Sequence, residues 1–176
     1  MTFIDFSGWQ PGMIITEARA SSAALVGRTV FRATRDTSQS IPSTASANPD
    51  VANALGWETI TLDDLGGWSS GSSTRYTCQL PGYYKINAKV SFNATSTAGT
   101  GRALGVFGNG SLLAGGHFRT ALAATNVVHT EGGYITVLLA VGDYVQLAPG
   151  HSTGSALDTA TGGTRPTIEI TFARPA

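Results

Sequence analysis

The sequence predicts an all-β domain, a sandwich or a barrel, on three observations. From residue 29 onward, short runs rich in β-branched and aromatic residues recur at intervals near ten residues, separated by Gly, Ser, Asn and Pro. Charged residues make up only 12% of the chain, against roughly 25% in an average soluble domain, which argues against a solvated helix bundle. Glycine is abundant, 22 of 176 residues, where an average chain has about 7%. A chain of this length holds one packed core.

Residues 1–28 differ in kind from the rest. Phe3, Ile4, Phe6 and Trp9 cluster ahead of Pro11-Gly12, after which Thr16 as N-cap, Glu17 in the first turn and Gly27 as a stop frame a short helix. A helix of that length is marginal alone, so the segment needs a surface to pack on, in its own domain or on a neighbouring subunit. It reads as an attachment arm or as a simple N-terminal flap, which leaves 29–176 as the β domain.

Strands are expected over 29–35, 57–62, 74–80, 83–92, 102–108, 111–116, 126–129, 134–140, 144–148 and 167–172. Alternation is clearest in the fourth, where Tyr84, Ile86, Ala88, Val90 and Phe92 face a core and Tyr83, Lys85, Asn87, Lys89 and Ser91 face something wetter. Asn109-Gly110 is the strongest hairpin signal, because both central residues of a type I′ turn need positive φ. Two stretches, 36–53 and 149–165, read as long loops, the second exposing His151 and Asp158. No repeat of 20 to 50 residues is visible, so solenoids and propellers are out.

The chemistry available is sparse. Eleven Lys plus Arg balance eleven Asp plus Glu, so there is no general attraction to nucleic acid or to anionic membranes, and no apolar run is long enough to span a bilayer. The N-terminus has neither a basic leader nor an apolar h-region, and cytoplasmic synthesis is expected. Cys78 stands alone, which precludes an intrachain disulfide or a cysteine metal cluster, and its alternating surroundings mark it as a buried, inert thiol. His117, His129 and His151 lack metal-ligand spacing, and no Gly-x-Ser-x-Gly elbow occurs. Asp63-Asp64 reads as turn capping ahead of a Ca²⁺ site, and Asp143 as an Asx-type turn. Gly99-Thr100-Gly101 and Gly162-Gly163 lack the Lys and helix of a phosphate loop. No cofactor or metal is implied and a non-enzymatic role is expected. A site assembled from distant residues would leave no motif, and its candidates are His151 and Asp158.

Three motifs in order carry a resemblance. Leu80-Pro81-Gly82-Tyr83-Tyr84-Lys85-Ile86 resembles the Pro-Gly-x-Tyr-x-Phe signature of the C1q/TNF-like jelly roll, Asn109-Gly110 its central hairpin, and the run from Leu139 through Gly142-Asp143 to Leu147 its Leu-x-x-Gly-Asp-x-Val-x-Leu strand pair. The sequence departs from animal members in lacking a Gly-X-Y stalk and a secretory signal. It is similar instead to small structural proteins of tailed bacteriophages, through Trp9 to Thr16, Gln-Ser-Ile-Pro at 39–42 and Asp-x-Leu-Gly-Gly-Trp from Asp63 to Trp68.

The resemblance implies a C1q/TNF-like jelly-roll sandwich with a short N-terminal arm, assembled as a homotrimer through one broad sheet face. It implies a location on the virion as a minor tail or host-adsorption protein, with capsid decoration, a head fibre or a free C1q-like carbohydrate-binding module as alternatives. Partners would be other virion proteins, met through Phe3, Ile4, Phe6 and Trp9, and a host surface glycan, met through the loops at 36–53 and 149–165, the second bearing His151 and Asp158. Tyr83, Tyr84, Phe92, Tyr134 and Tyr144 are candidates for the trimer interface, since interfaces are enriched in aromatics and depleted in Lys and Glu, as this chain is.

Overall fold

The computed structural model describes residues 24–97, 99–123 and 125–176. The arm residues Phe3, Ile4, Phe6 and Trp9, and most of the expected helix, lie outside the described residues. At its end Ala24 and Leu25 are helical. Gly27, at φ +76°, stops the turn as expected, and its amide donates to the Phe172 carbonyl at 2.8 Å.

Eleven strands follow: β1 Arg28–Thr34, β2 Ser40–Ile41, β3 Thr59–Asp63, β4 Tyr76–Thr77, β5 Gly82–Phe92, β6 Gly99–Gly108, β7 Ser111–Ala123, β8 His129–Leu139, β9 Tyr144–His151, β10 Leu157–Asp158 and β11 Thr167–Pro175. They form a five-stranded sheet in the order β3-β1-β11-β5-β8, a four-stranded sheet in the order β4-β9-β6-β7, and a small β10-β2 ladder. Every pairing is antiparallel. The inner faces of the two larger sheets meet in one core. Phe31 packs on Tyr76 with centroids 4.8 Å apart, and Tyr84 meets Phe172 edge-on at 5.3 Å.

The alternation expected in β5 holds. Tyr84, Ile86, Ala88, Val90 and Phe92 are all within the core, and Tyr83, Lys85, Asn87 and Lys89 point away from it. Ser91 differs. It is buried, with its hydroxyl 2.8 Å from that of Thr130.

Three departures from the sequence reading stand out, and glycine explains two of them. The strand expected at 126–129 does not form, residues 126–128 lying outside any strand, and the one expected at 134–140 starts earlier, at His129, because Gly132 and Gly133 mark close approach and not a break. A Cβ on Gly132 would lie 2.6 Å from the Ala88 carbonyl oxygen, and one on Gly133 would lie 2.3 Å from the Phe118 ring. β7 likewise runs past 116 to Ala123, with Gly116 pressed against the Val106 carbonyl. The stretch at 149–165 is not one loop, since Pro149 to His151 complete β9.

The outer face of the four-stranded sheet is covered by a strap, residues 43–57. The Thr44 and Leu55 amides each donate at 2.8 Å to carbonyls of β9, those of His151 and Leu147, along the edge that short β4 leaves open. A Cβ on Gly105 would lie 2.8 Å from Pro49, and one on Gly150 would lie 2.7 Å from the Asn48 backbone. Gln39 fastens the strap's end, donating to the carbonyls of Asn53 and Ala54 at 3.2 Å each.

Turn chemistry matches the sequence reading. Asn109 and Gly110 have φ of +50° and +78°. Asn109 Oδ1 accepts from the Tyr144 amide at 3.0 Å and its Nδ2 donates to Asp143 Oδ1 at 2.8 Å, while Asp143 Oδ2 accepts from the Ala140 amide at 2.7 Å. These bonds tie the β6–β7 turn to the β8–β9 turn. Asp63 accepts from the amides of Gly67 and Trp68 at 2.9 and 3.1 Å, the turn-capping role expected of it.

Asn109→Ala removes two side-chain bonds and puts at positive φ a residue that tolerates the left-handed region less well than asparagine. It is expected to lower unfolding free energy by about 1–3 kcal/mol in urea titration. Asn109→Gly, which keeps the backbone conformation, is expected to lose less.

Candidate subunit interface

The outer face of the five-stranded sheet is organised in rows set by strand register. One row reads Arg32, Glu169, Asn87, Tyr134, and the next Thr29, Thr171, Lys85, Thr136. A third reads Arg174, Tyr83, Leu138 and a fourth Thr34, Thr167, Lys89, Gly132. Two cations lie on aromatic rings: Lys85 Nζ is 4.3 Å from the Tyr134 centroid and the Arg174 guanidinium 3.6 Å from that of Tyr83. Arg32 pairs with Glu169 at 2.7 Å.

Tyr134 is 65% exposed and Leu138 52%. Leu112, Val127, Val128 and Val141 are also exposed, and all lie on β7, β8 or the segments adjoining them. Among the described residues, five of the seven large apolar side chains left exposed lie on β8 or in the segments at its two ends, while Leu112, opposite Phe107 and beside Gly105, is on the strap-covered face of the other sheet. On the β7–β8 side β7 pairs only with β6 and β8 only with β5, so each leaves one strand edge unpaired.

Of the five expected interface aromatics, Tyr83 and Tyr134 lie on this face. Tyr84 and Phe92 do not, and this is a correction: both share strand parity with Ile86 and Ala88, are fully buried, and pack against Phe172 and His151. The Tyr84 hydroxyl donates to the Leu80 carbonyl at 2.5 Å. Tyr144 is on the other sheet, with the Arg75 guanidinium 4.2 Å from its centroid. Leu138 was missed by sequence reasoning, although it shares parity with Tyr134 along β8.

His151 is the second correction. It is fully buried rather than exposed, because the strap and the β2–β10 ladder close over the end of β9. Its Nε2 donates to the Ile41 carbonyl at 2.7 Å, leaving Nδ1 as acceptor beside the Thr153 hydroxyl at 3.1 Å. Asp158 is exposed, as expected, on β10, and both nitrogens of His151 are engaged elsewhere, so the two do not form a dyad. The two stretches expected to be loops, 36–53 and 149–165, do approach each other. Ser43, Thr44, Ala45, Ser152 and Gly154 line an open groove of about 300 Å³.

A polar cluster closes one end of the core. Arg102, on β6, and Glu131, on β8, are 1% and 5% exposed. Arg102 Nε, Glu131 Oε1 and His129 Nε2 have no hydrogen-bond partner. Burial raises the Glu131 carboxyl above its ordinary value, opposed by bonds from Thr120 and by the charges of His129 and Arg102. Burial also pushes the Cys78 thiol up, in keeping with an inert role. Among the described residues no group of three or more His, Cys, Asp or Glu could hold a metal ion, and no helix is long and apolar enough to cross a membrane.

No protein-family model and no curated protein sequence matches the chain. Solved structures do. The globular domain of zebrafish complement 1qA protein superposes with a TM-score of 0.55 at 14% identity, covering 83% of this chain and 98% of its own. Murine APRIL at pH 5.0 gives 0.55 at 11%, covering 82% and 98%. The Eiger TNF of S. frugiperda gives 0.55 at 8%, covering 84% and 94%. The chain thus has the C1q/TNF jelly-roll fold.

Burial lowers the His151 pKa below its ordinary 6.5, the Ile41 bond opposing and the Arg102 charge adding. A base depressed in the folded state contributes stability that is complete above 6.5 and is lost as pH falls through the depressed value. Glu131, raised, acts in the opposite sense, its contribution being lost as pH rises, so the comparison must isolate His151. The stability advantage of wild type over His151→Gln is expected to shrink from pH 7 to pH 5 in denaturant titrations.

Proposed function

We propose that this chain is a non-enzymatic structural protein of a tailed-bacteriophage virion that works as a homotrimer. The subunit contact is formed by the outer face of the five-stranded sheet and the adjoining β7–β8 side. The carrying observation is the gathering of Tyr134, Leu138, Val127, Val128 and Val141 on β8 and the segments at its two ends. Apolar surface collected in one place marks a protein contact, whereas scattered exposed residues do not. The occupant is a second copy of the chain, and the C1q/TNF resemblance gives the number of copies as three. A ring of three needs a heterologous contact, one patch of a copy against a different patch of the next. A sheet face adjoining a side with two unpaired strand edges supplies such a pair of patches.

The virion reading rests on the motifs similar to phage structural proteins. Two of them have architectural roles in the fold: Gln39 fastens the strap, and Asp63 caps the turn in which Gly67 lies against Tyr76. The chain is made in the host cytoplasm and joins the particle through residues 1–28. A tail location with host adsorption is preferred. The groove between residues 43–45 and 152–154, lined by hydroxyl and backbone groups, suits a neutral glycan. Antibody against the chain, seen by electron microscopy of phage particles, is expected to label the tail tip. Label over the head would make it a decoration protein, and absence from every particle would end the virion reading.

The assembly itself is tested by native mass. Wild type at micromolar concentration is expected at three times the chain mass. Leu138→Glu, at a position already 52% exposed, is expected to keep its circular dichroism and unfolding midpoint while running as a monomer.

A further inference from the structure

We propose that His151 is a proton-operated latch: a second proton on its ring frees residues 40–47 and 152–158 from the end of β9 and opens the groove those two segments form. The latch works within one copy of the chain, assembled or not.

Three pieces of chain meet at His151. Its backbone carbonyl accepts from the Thr44 amide at 2.8 Å. Its ring holds Ile41, whose carbonyl is 2.7 Å from Nε2, and Thr153, whose hydroxyl and amide nitrogen are 3.1 and 3.4 Å from Nδ1. The groove is lined by Ser43, Thr44 and Ala45 on one side and Ser152 and Gly154 on the other. Each of these is bonded to His151 or adjoins a residue that is. The Gly154 amide ties the two walls together, donating to Ser43 Oγ at 2.9 Å.

Release at this point is local. β2 and β10 pair over two residues each, so this part of the chain opens at lower cost than the long ladders of β5, β8 and β11. The fastenings that flank it involve neither the ring nor the carbonyl of His151. Gln39 is bonded to Thr159, Asn53 and Ala54, and the Leu55 amide to the Leu147 carbonyl.

The surroundings of the ring favour its neutral form. It is fully buried, edge-on to Phe92 of β5 at 5.8 Å, with Arg102 of β6 opposite in register. From β10, Leu157 is buried and Asp158 exposed. On β8, Glu131 interacts with Arg102 and with His129. The charge that bears on the imidazole is that of Arg102, of the same sign as an imidazolium. Hydrogen bonding does not resist the proton, because Thr153 Oγ, which donates to the Ser155 carbonyl at 2.8 Å, can accept from a protonated Nδ1. What resists it is a second positive charge in a buried site beside a first. Once the segments move, water reaches the ring. The open form then takes the proton near the ordinary 6.5 and the closed form only at lower pH, so acid favours opening.

The test is amide hydrogen exchange of the full chain at pH 7 and pH 5, each rate normalised to that of an unstructured peptide at the same pH. Protection of 40–47 and 152–158 is expected to fall roughly tenfold at pH 5, while β5 and β11 keep theirs. His151→Gln is expected to show no such difference between the two pH values. Wild-type protection that is equal at both, or that falls equally in β5 and β11, overturns the latch. A variant that loses protection as wild type does overturns the assignment to His151. Should the variant fail to fold, nitrogen NMR of the wild-type His151 ring decides: protonation is expected to coincide with the loss of protection, and a ring that takes up its proton while both segments stay protected overturns the proposal.

Discussion

A β-sheet has two faces and needs a use for both. In this chain the inner faces of the two larger sheets cover each other, and the outer face of the four-stranded sheet is covered by the strap at 43–57. The strap lies close because Gly105 and Gly150 offer no side chain beneath Pro49 and Asn48. Among the described residues nothing comparable lies over the outer face of the five-stranded sheet. The chemistry of the two faces differs accordingly. Ala103 and Phe107, under the strap, are buried, while Lys85, Asn87 and Tyr134, on the open face, are exposed. The exposure of Tyr134 and Leu138 follows from which face the chain covers itself.

The core has its own asymmetry. Most of it is aliphatic and aromatic, but one end holds Arg102, Glu131 and His151. Such a cluster adds little net stability, because desolvating the ions offsets their attraction. Nor is there a disulfide, Cys78 being a buried free thiol. Stability thus rests on packing, on the turn network of Asn109 and Asp143, and, if the trimer forms as proposed, on association.

Much of the fold is readable from the sequence alone. Strand parity in β5, the Asn109-Gly110 turn and the capping by Asp63 depend on local rules that a linear sequence expresses. What escapes reading depends on neighbours distant in sequence. Gly132 and Gly133 look like a break, and only the Ala88 backbone and the Phe118 ring explain them. His151 looks exposed among Gly, Ser and Thr, and its burial comes from Ile41 and the strap, over a hundred residues earlier. Of the candidate interface, Tyr84 and Phe92 were misassigned although parity alone placed them inside. Leu138 was missed because a lone leucine in a strand carries no signal until its sheet has an inside and an outside.

The central claim is that the β7–β8 side and the adjoining sheet face are covered by other copies of the chain. Amide hydrogen exchange measured over a range of protein concentrations tests it most directly, because both strands have amides on an unpaired edge in the monomer. Protection is expected to rise with concentration in β7, β8 and the loop between them, while β1, β9 and the strap keep constant protection. Exchange that is independent of concentration throughout the chain, or a rise confined to the strap and β9, would contradict the claim.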